Sequence, residues 1–529
     1  MSSVVFRTAL EATGYLDAEG RAAPGLAMGL GEAPARLRSV LQDKRVGLRA
    51  EAVFSAQGAP TSIFKDAGQI PPSPADLRGW YEAAWNVGVA PLLWIVTPTD
   101  VRLYDCYAAP PEASGDLEPP ELDRFRLDSP DQIRALDSAC GRLTTETGAF
   151  WSSAIGSKIN RKHRVDRELL AEISALEDRL VALTLVHVPT AARSLARDLA
   201  QRFIGRCIFT WYLLDRGLAQ PFLPDDLSPN LNQMFATPAT AFRLFDWLRS
   251  TFNGDLFPMD DPGAEREYLT DAHLELIRDF TEGRSLIPER KGQGRLFRFR
   301  FNAIPVDLVS SIYQQFARSS AADKANAQSL HYTPVELVHL TLDPVFEQLP
   351  ASSKIVDPAC GSGAFLVEAY RRLVWRASGG KPASRQTVRH ILYNQLFGVD
   401  INRSALGIAA FSLYLAALEL DEDPIQDLSD LKFDHLIGRT LFEADSLGDE
   451  LPAQLTMSSF EAVVGNPPWT FVGQSGASPK RAKEDDETAR PRRSPDWAFL
   501  NLAIRLAGET GRVGMVMKAT PFSLKMSVR

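Results

Sequence analysis

KIVDPACGSGAFLVEAYRRLVWRA, residues 354–377, opens with a short apolar run, bends through a glycine-rich turn and continues as a helix-forming stretch. KIVDPA (354–359) predicts a buried strand, and FLVEAYRRLVWRA (365–377) the helix that follows it. The same rhythm repeats downstream. LFGVDI (396–401) is a second strand, followed by the helix ALGIAAFSLYLAALEL (405–420). TLFEAD (440–445), EAVVGNPP (461–468) and GRVGMVMK (511–518) supply three more strands. Five strands alternating with helices predict a doubly wound, mostly parallel α/β sheet over about 319–529.

Ligands of such sheets bind beyond the carboxyl ends of the strands. DPACGSG (357–363) lies at the end of the first, where glycines permit a tight turn and close backbone approach to a ligand. The turn does not match GxGxxG, and the chain has no GxxxxGK[ST], so nucleotide triphosphate hydrolysis has no support. Asp400 ends the second strand, where a carboxylate can accept ribose hydroxyl hydrogens. Asp445 ends the third, within reach of an adenine amino group. Each acid alone also reads as a helix N-cap. The fourth strand ends in Asn466-Pro467-Pro468-Trp469. The prolines remove two backbone donors, so the Asn466 side-chain oxygen and the Pro467 carbonyl can accept both hydrogens of a planar amino group. Trp469 offers a face for a base taken out of a duplex; the plainer reading is a proline-rich turn with a surface tryptophan.

Outside this region the sequence is less specific. At 529 residues the chain needs more than one core. Residues 1–130 contain two adjacent strand patterns, PLLWIVTP (91–98) and DVRLYDCY (100–107), and end in a proline-rich stretch, APPEASGDLEPPELD (109–123), read as a linker or surface loop. Residues 131–318 are helical. Leu169, Ile173, Leu176, Leu180 and Leu183 form one apolar stripe, and Leu195, Leu199, Phe203, Cys207, Trp211 and Leu214 another. Cys106, Cys140, Cys207 and Cys360 are widely spaced, which argues against a zinc site or disulfide framework and predicts a reducing, cytoplasmic setting. A net charge of -8 requires any nucleic-acid surface to be a local patch. One candidate is the loop 474–495, whose residues 480–493 carry six Lys or Arg against four acids. A solvated insertion is the alternative.

HYTP (331–334), DPACGSGAFL (357–366), GVDIN (398–402), EADSL (443–447) and GNPPW (465–469) occur in the order found in the γ-class N6-adenine DNA methyltransferases. The chain resembles the large enzymes of type IIG restriction–modification and of the BREX and DISARM defence systems. The likeness is strong over about 300–529 and weaker over QRFIGRCIFTWYLLDRGL (201–218) and FNAIPVDLVSSIYQQF (301–316). It implies a Rossmann-like S-adenosylmethionine-dependent methyltransferase domain over 319–529, preceded by a helical connector (131–318) and a small α/β domain (1–130).

By the same resemblance, Tyr332, Thr333 and Pro334 lie by the methionine end of S-adenosyl-L-methionine. Asp357, Ala359 and the Gly361–Gly363 turn enclose its amino acid portion, Asp400 with Ile401 takes the ribose side, and Asp445 the adenine amino group. Asn466, Pro467, Pro468 and Trp469 hold the flipped target adenine for direct methyl transfer to N6, with no metal. Double-stranded DNA is the implied partner. The sequence stops where relatives add two more strands and a target-recognition domain, so it reads as a fragment, a premature stop, or a half that a separate polypeptide or other defence-system subunits complete. Larger relatives carry a nuclease domain at the N-terminus. Glu51 and Lys65, around AVFS and SIFK, are the candidates here, and the missing acid just before Lys65 predicts a nuclease-like scaffold without cleavage. The alternatives are a non-catalytic cofactor- or DNA-binding subunit of a defence complex, or a methyltransferase acting on RNA or protein glutamine.

Overall fold

A computed structural model describes residues 2–29, 37, 47–56, 59–110, 119, 121–160, 164–189, 191–252, 262–287, 299–304, 308, 312, 333–448, 451–456, 459–468 and 495–517. The chain divides into two compact units, Met1–Asp246 with Asp261–Pro305, and Trp247–Asp260 with Val306–Arg529. The residues before and after 130 thus share one unit.

The first unit is built on a six-stranded sheet in sequence order: β1 (Leu26–Met28), β2 (Ala52–Ala56), β3 (Ala59–Asp66), β4 (Leu92–Val96), β5 (Asp100–Asp105) and β6 (Glu121–Arg126). Neighbours are antiparallel except β3 and β4, which run parallel. Between those two the chain passes through α2 (Pro74–Val87), whose Ser73 and Asp76 form a reciprocal cap; α1 (Val4–Ala12) precedes the sheet. Both faces are covered. Phe54, Phe64 and Trp94 point into one core with Phe6 and Leu10, and Val53, Ile63 and Ile95 into another with Tyr81 and Ala84. Two-sided burial explains the unbroken apolar run of β4. It also buries β5, whose alternating sequence reads as a half-exposed strand, at all positions but Arg102. Likewise β6 begins inside the proline-rich stretch read as a loop: its Glu121 lies opposite Tyr104 in the ladder.

The longer helices in the helical part of this unit are α3 (Pro130–Cys140), α4 (Val165–His187), α5 (Arg193–Asp215), α6 (Pro238–Thr251, crossing the unit boundary), α7 (Pro262–Tyr268) and α8 (Asp271–Thr281). Leu169, Ile173, Leu176 and Leu180 are buried on α4 as their spacing requires. On α5 the stripe starts later than expected. Leu195 is 41% exposed, whereas every residue from Phe203 to Leu214 is buried, because this helix is packed on more than one side.

The second unit contains a five-stranded, all-parallel sheet of β7 (Ile355–Asp357), β8 (Leu396–Asp400), β9 (Leu441–Glu443), β10 (Ala462–Gly465) and β11 (Arg512–Met515), in the order β11-β10-β7-β8-β9. All five expected strands are present. Helix α13 (Pro495–Ala507) covers the face that carries Val356, Val399, Phe442 and Val463. On the other face lie α9 (Val335–Phe346), α10 (Ala364–Ala377) and α12 (Arg403–Leu420), while α11 (Arg385–Asn394) leads into β8. Chain direction across the sheet reverses between β7 and β10. That pair therefore forms the switch point, where the crossovers diverge and leave a crevice at the strands' carboxyl ends.

Candidate active site at the switch point

The turn after β7 is built by backbone geometry. Gly361 has φ 52° and Gly363 φ 84°, conformations that side chains disfavour, and Gly363 caps α10. A Cβ on Gly363 would come within 3.2 Å of the Ala409 backbone, so glycine also lets α10 and α12 close on each other. The Cys360 amide donates to the Val399 carbonyl at 2.9 Å and the Gly363 amide to the Cys360 carbonyl at 2.8 Å. Ser446 Oγ donates to the Pro358 carbonyl at 2.5 Å, joining the loop after β9 to this turn. Nothing in the sequence pattern of EADSL marks Ser446 for this part.

Three acids stand at successive strand ends, and each is engaged in the same way. Asp357 Oδ1 accepts from the Ala359 amide at 2.9 Å, Asp400 Oδ1 from Asn402 at 2.8 Å and Asp445 Oδ1 from Leu447 at 2.9 Å. These are turns closed by a side chain on the amide two residues ahead. Asp400 does more, because its Oδ2 accepts from the Gly361 amide at 2.9 Å and ties β8 to the glycine turn. Their environments differ. Asp357 is 1% exposed, and burial pushes its carboxyl up to about 8 against the Ala359 hydrogen bond, with the Asp400 charge adding to the rise. Burial also raises Asp400, opposed by its two backbone donors. Asp445 is exposed, and Ile401 leaves 59% of its apolar surface uncovered beside Asp400.

The end of β10 breaks the pattern. Asn466 is two residues before Pro468, which has no amide hydrogen, so the turn made by the three acids is unavailable to it. Its Nδ2 donates to Thr333 Oγ1 at 3.2 Å, while Oδ1 is buried with no hydrogen-bond partner. A buried acceptor left unpaired costs stability, and such atoms mark places where a ligand completes the bonding. Pro467 is buried beside it. Asp357 and Asn466 share the rim because β7 and β10 pair in parallel. Gly465 makes the approach possible: a Cβ there would stand 2.5 Å from Asp357 Oδ1. Sequence reasoning had not singled out this glycine; its place before Asn466 was the only signal. Thr333 and Pro334 precede α9, and Pro334 is exposed at its N-cap. Tyr332, Trp469 and the loop 474–494 lie outside the described residues.

Glu51 and Lys65 also meet, in the first unit. Lys65 Nζ lies 3.1 Å from Glu51 Oε1 and donates to the Arg49 carbonyl at 2.9 Å, and Glu51 Oε2 accepts from the Asp66 amide at 2.6 Å. Burial raises the Glu51 carboxyl, with the Lys65 charge working against it. Asp66 turns to Ser3, whose Oγ donates to its Oδ1 at 2.9 Å. Among the described residues, no three His, Cys, Asp or Glu side chains are grouped to hold a metal.

An all-parallel doubly wound sheet, with a glycine turn, strand-end acids and a desolvated amide at its switch point, defines a Rossmann-like domain with a candidate ligand crevice. Residues 305–524 match the family described as N-6 DNA Methylase. The chain is 28% identical over 229 residues to the adenine-specific methyltransferase PglX of Streptomyces coelicolor, covering 37% of this chain and 18% of that one. It is 26% identical over 229 residues to the type I restriction enzyme MjaVII methylase subunit of Methanocaldococcus jannaschii, covering 41% and 33%. A shorter match, 38% over 74 residues, joins it to the adenine-specific methyltransferase BrxX of Escherichia coli, covering 14% and 6%. The alignments thus span a third or less of each relative's length.

Proposed function

We propose that this chain is a site-specific DNA methyltransferase that moves a methyl group from S-adenosylmethionine to the N6 amino group of adenine, in restriction–modification or phage defence. The observation that carries this reading is the buried, unpartnered Oδ1 of Asn466 on the same rim as Asp357. It is an acceptor waiting for a donor, and an adenine amino group is a donor with two hydrogens. The family match over 305–524 and the likeness to two adenine-specific methyltransferases support the choice of reaction.

The residues present fit the cofactor that this family uses. S-adenosylmethionine, when bound, supplies an electrophilic methyl group. Asp357 and the Gly361–Gly363 turn would hold its amino acid portion, Thr333 and Pro334 the neighbouring wall, and Asp400 its ribose hydroxyls through the lone pairs left beside two backbone donors. The exposed Ile401 offers an apolar surface for the purine, and Asp445 an acceptor for the purine's amino group. On the target side, Asn466 Oδ1 and the Pro467 carbonyl accept the two hydrogens of the exocyclic nitrogen, turning its lone pair toward the methyl. Pro468 and Trp469 complete that wall. The work is positioning in a desolvated crevice.

Double-stranded DNA is the proposed partner, and the cytoplasm the proposed location. Likeness to a type I methylase subunit supports a further polypeptide that reads bases. We keep residues 1–130 as a nuclease-like scaffold that does not cut, since the Lys65 ammonium is already neutralised by Glu51 and Asp66 is bound to Ser3. Residues 131–318 are its helical connector.

The test is transfer of tritium from labelled S-adenosylmethionine, with unmethylated DNA, RNA and protein offered in competition. Label should appear in DNA and co-migrate with N6-methyladenine. Asn466→Ala should lower transfer by roughly 100- to 1000-fold, the scale of removing one positioned polar group, while calorimetry shows cofactor binding intact. Label confined to RNA or protein would overturn the substrate.

A further inference from the structure

The Asn466 amide is held by neighbours that differ from those of the three strand-end acids in this sheet. Asp357, Asp400 and Asp445 each spend one oxygen on the amide two residues ahead. An asparagine at such a position ordinarily does the same, closing a turn on its own backbone. If Asn466 did so, Oδ1 would be occupied and Nδ2 would face the crevice, offering hydrogens to an incoming amino group that itself brings hydrogens. Two features prevent this. Position 468 is proline and has no hydrogen to give. Nδ2 is taken by Thr333 Oγ1 at 3.2 Å, so the nitrogen end of the amide is tied down and Oδ1 is left without a partner.

Thr333 can serve as an anchor because the helix that follows it is fixed on two sides. On one, Arg372 of α10 reaches Asp343 at 2.7 Å and also pairs with Glu368 of its own helix at 3.0 Å. On the other, α9 lies so close to β11 that a Cβ on Gly514 would come within 2.7 Å of Val345. These contacts hold the C-terminal part of α9, the helix whose start carries Thr333.

We infer that Thr333 and Pro468 are positioning residues that preset the Asn466 amide, one engaging its nitrogen and the other denying its oxygen a backbone donor. This rests on the methyltransferase reading above for its consequence in catalysis, but its structural content stands apart from it. Thr333 thereby acquires a role toward the target base, distinct from the place beside the cofactor that the sequence resemblance gives it.

The experiment uses the full chain with three substitutions: Thr333→Val, Thr333→Ser and Pro468→Ala. Crystal structures come first. In T333V the Asn466 side chain should lose its single orientation, and in P468A its Oδ1 should accept from the amide newly present at position 468. T333S should keep the wild-type arrangement. Unchanged Asn466 rotamers in both T333V and P468A would overturn the inference whether or not the protein methylates anything. Single-turnover transfer from labelled S-adenosylmethionine to unmethylated DNA should then fall by roughly 10- to 100-fold in T333V and P468A, the scale of a small misplacement, with T333S restoring it. Cofactor affinity by calorimetry should be unchanged in P468A, and any change in T333V should fall well short of its loss in transfer. A loss in T333V that weaker cofactor binding fully accounts for would also overturn it. Wild-type protein that methylates no DNA, with the rotamers behaving as described, would sink the functional reading and leave this one standing.

Discussion

Asp357 and Asp400 sit in the same crevice but are held differently, and two measurements separate their roles. An acid whose pKa is higher folded than unfolded binds its proton more tightly in the native state. Stability therefore falls as pH rises from the ordinary value of 3.8 toward about 8, then levels off. Asp357→Asn removes that fall while keeping an acceptor for the Ala359 amide. Its melting temperature should exceed the wild type's at pH 8 and above, with the gap closing toward pH 4; parallel profiles would mean that Asp357 is not held protonated. Asp400 has two backbone donors to lose. Asp400→Ala should weaken S-adenosylmethionine binding by roughly 1–3 kcal/mol, the cost of stranding buried polar partners. Unchanged affinity by calorimetry would remove Asp400 from the ribose.

At the scale of elements, β7 and β10 meet where a glycine is the only residue that fits. Gly465→Ala drives a methyl group against Asp357 Oδ1, which stands 2.5 Å from the Cβ position. The strands cannot separate without breaking their parallel ladder, so about 1–3 kcal/mol of stability should be lost, as in other overpacked sites. Combining it with Asp357→Ala should return part of that loss. Denaturant midpoints of the two single variants and the double variant measure the coupling, and simple additivity would show that the two residues do not touch. The elements themselves were largely legible. Four of the five strands of the second unit are short apolar runs closed within two residues by Asp, Gly or Asn, and its longer helices are long enough to be distinguished from strands. What escaped was decided by neighbours. The β6 strand follows a proline-rich run, and the exposure of Leu195 depends on which sides of α5 other helices cover.

For the whole molecule, an excess of eight negative charges means that the proposed DNA partner would be drawn to a region and repelled by the average surface. The sequence offers one cationic cluster near Asn466, namely Lys480, Arg481, Lys483, Arg490, Arg492 and Arg493. Replacing all six with alanine should make the slope of log affinity for DNA against log salt shallower by several units, since each phosphate contact contributes roughly 0.9. A slope that does not move would put the phosphate contacts elsewhere. The chain's division into two units, each with its own sheet, also shows why composition could bound but not locate the domains. The 1–130 and 131–318 segments differ in rhythm, yet residues 299–304 return to bond with Asn86 and Asp215, and that closure leaves no periodic trace in the sequence.

The sequence by itself determined the order of strands and helices in the second unit and the identity of the residues at its rim. Period-two and helical patterns, glycine turns and strand-end acids are local features, fixed by neighbours along the chain. Which of those residues share a crevice, which oxygen is buried without a partner, and why residue 465 carries no side chain were decided only in three dimensions. Strand order and burial arise from contacts between segments about a hundred residues apart, and it is those contacts that strip water from Asp357 and leave Asn466 with an oxygen to offer.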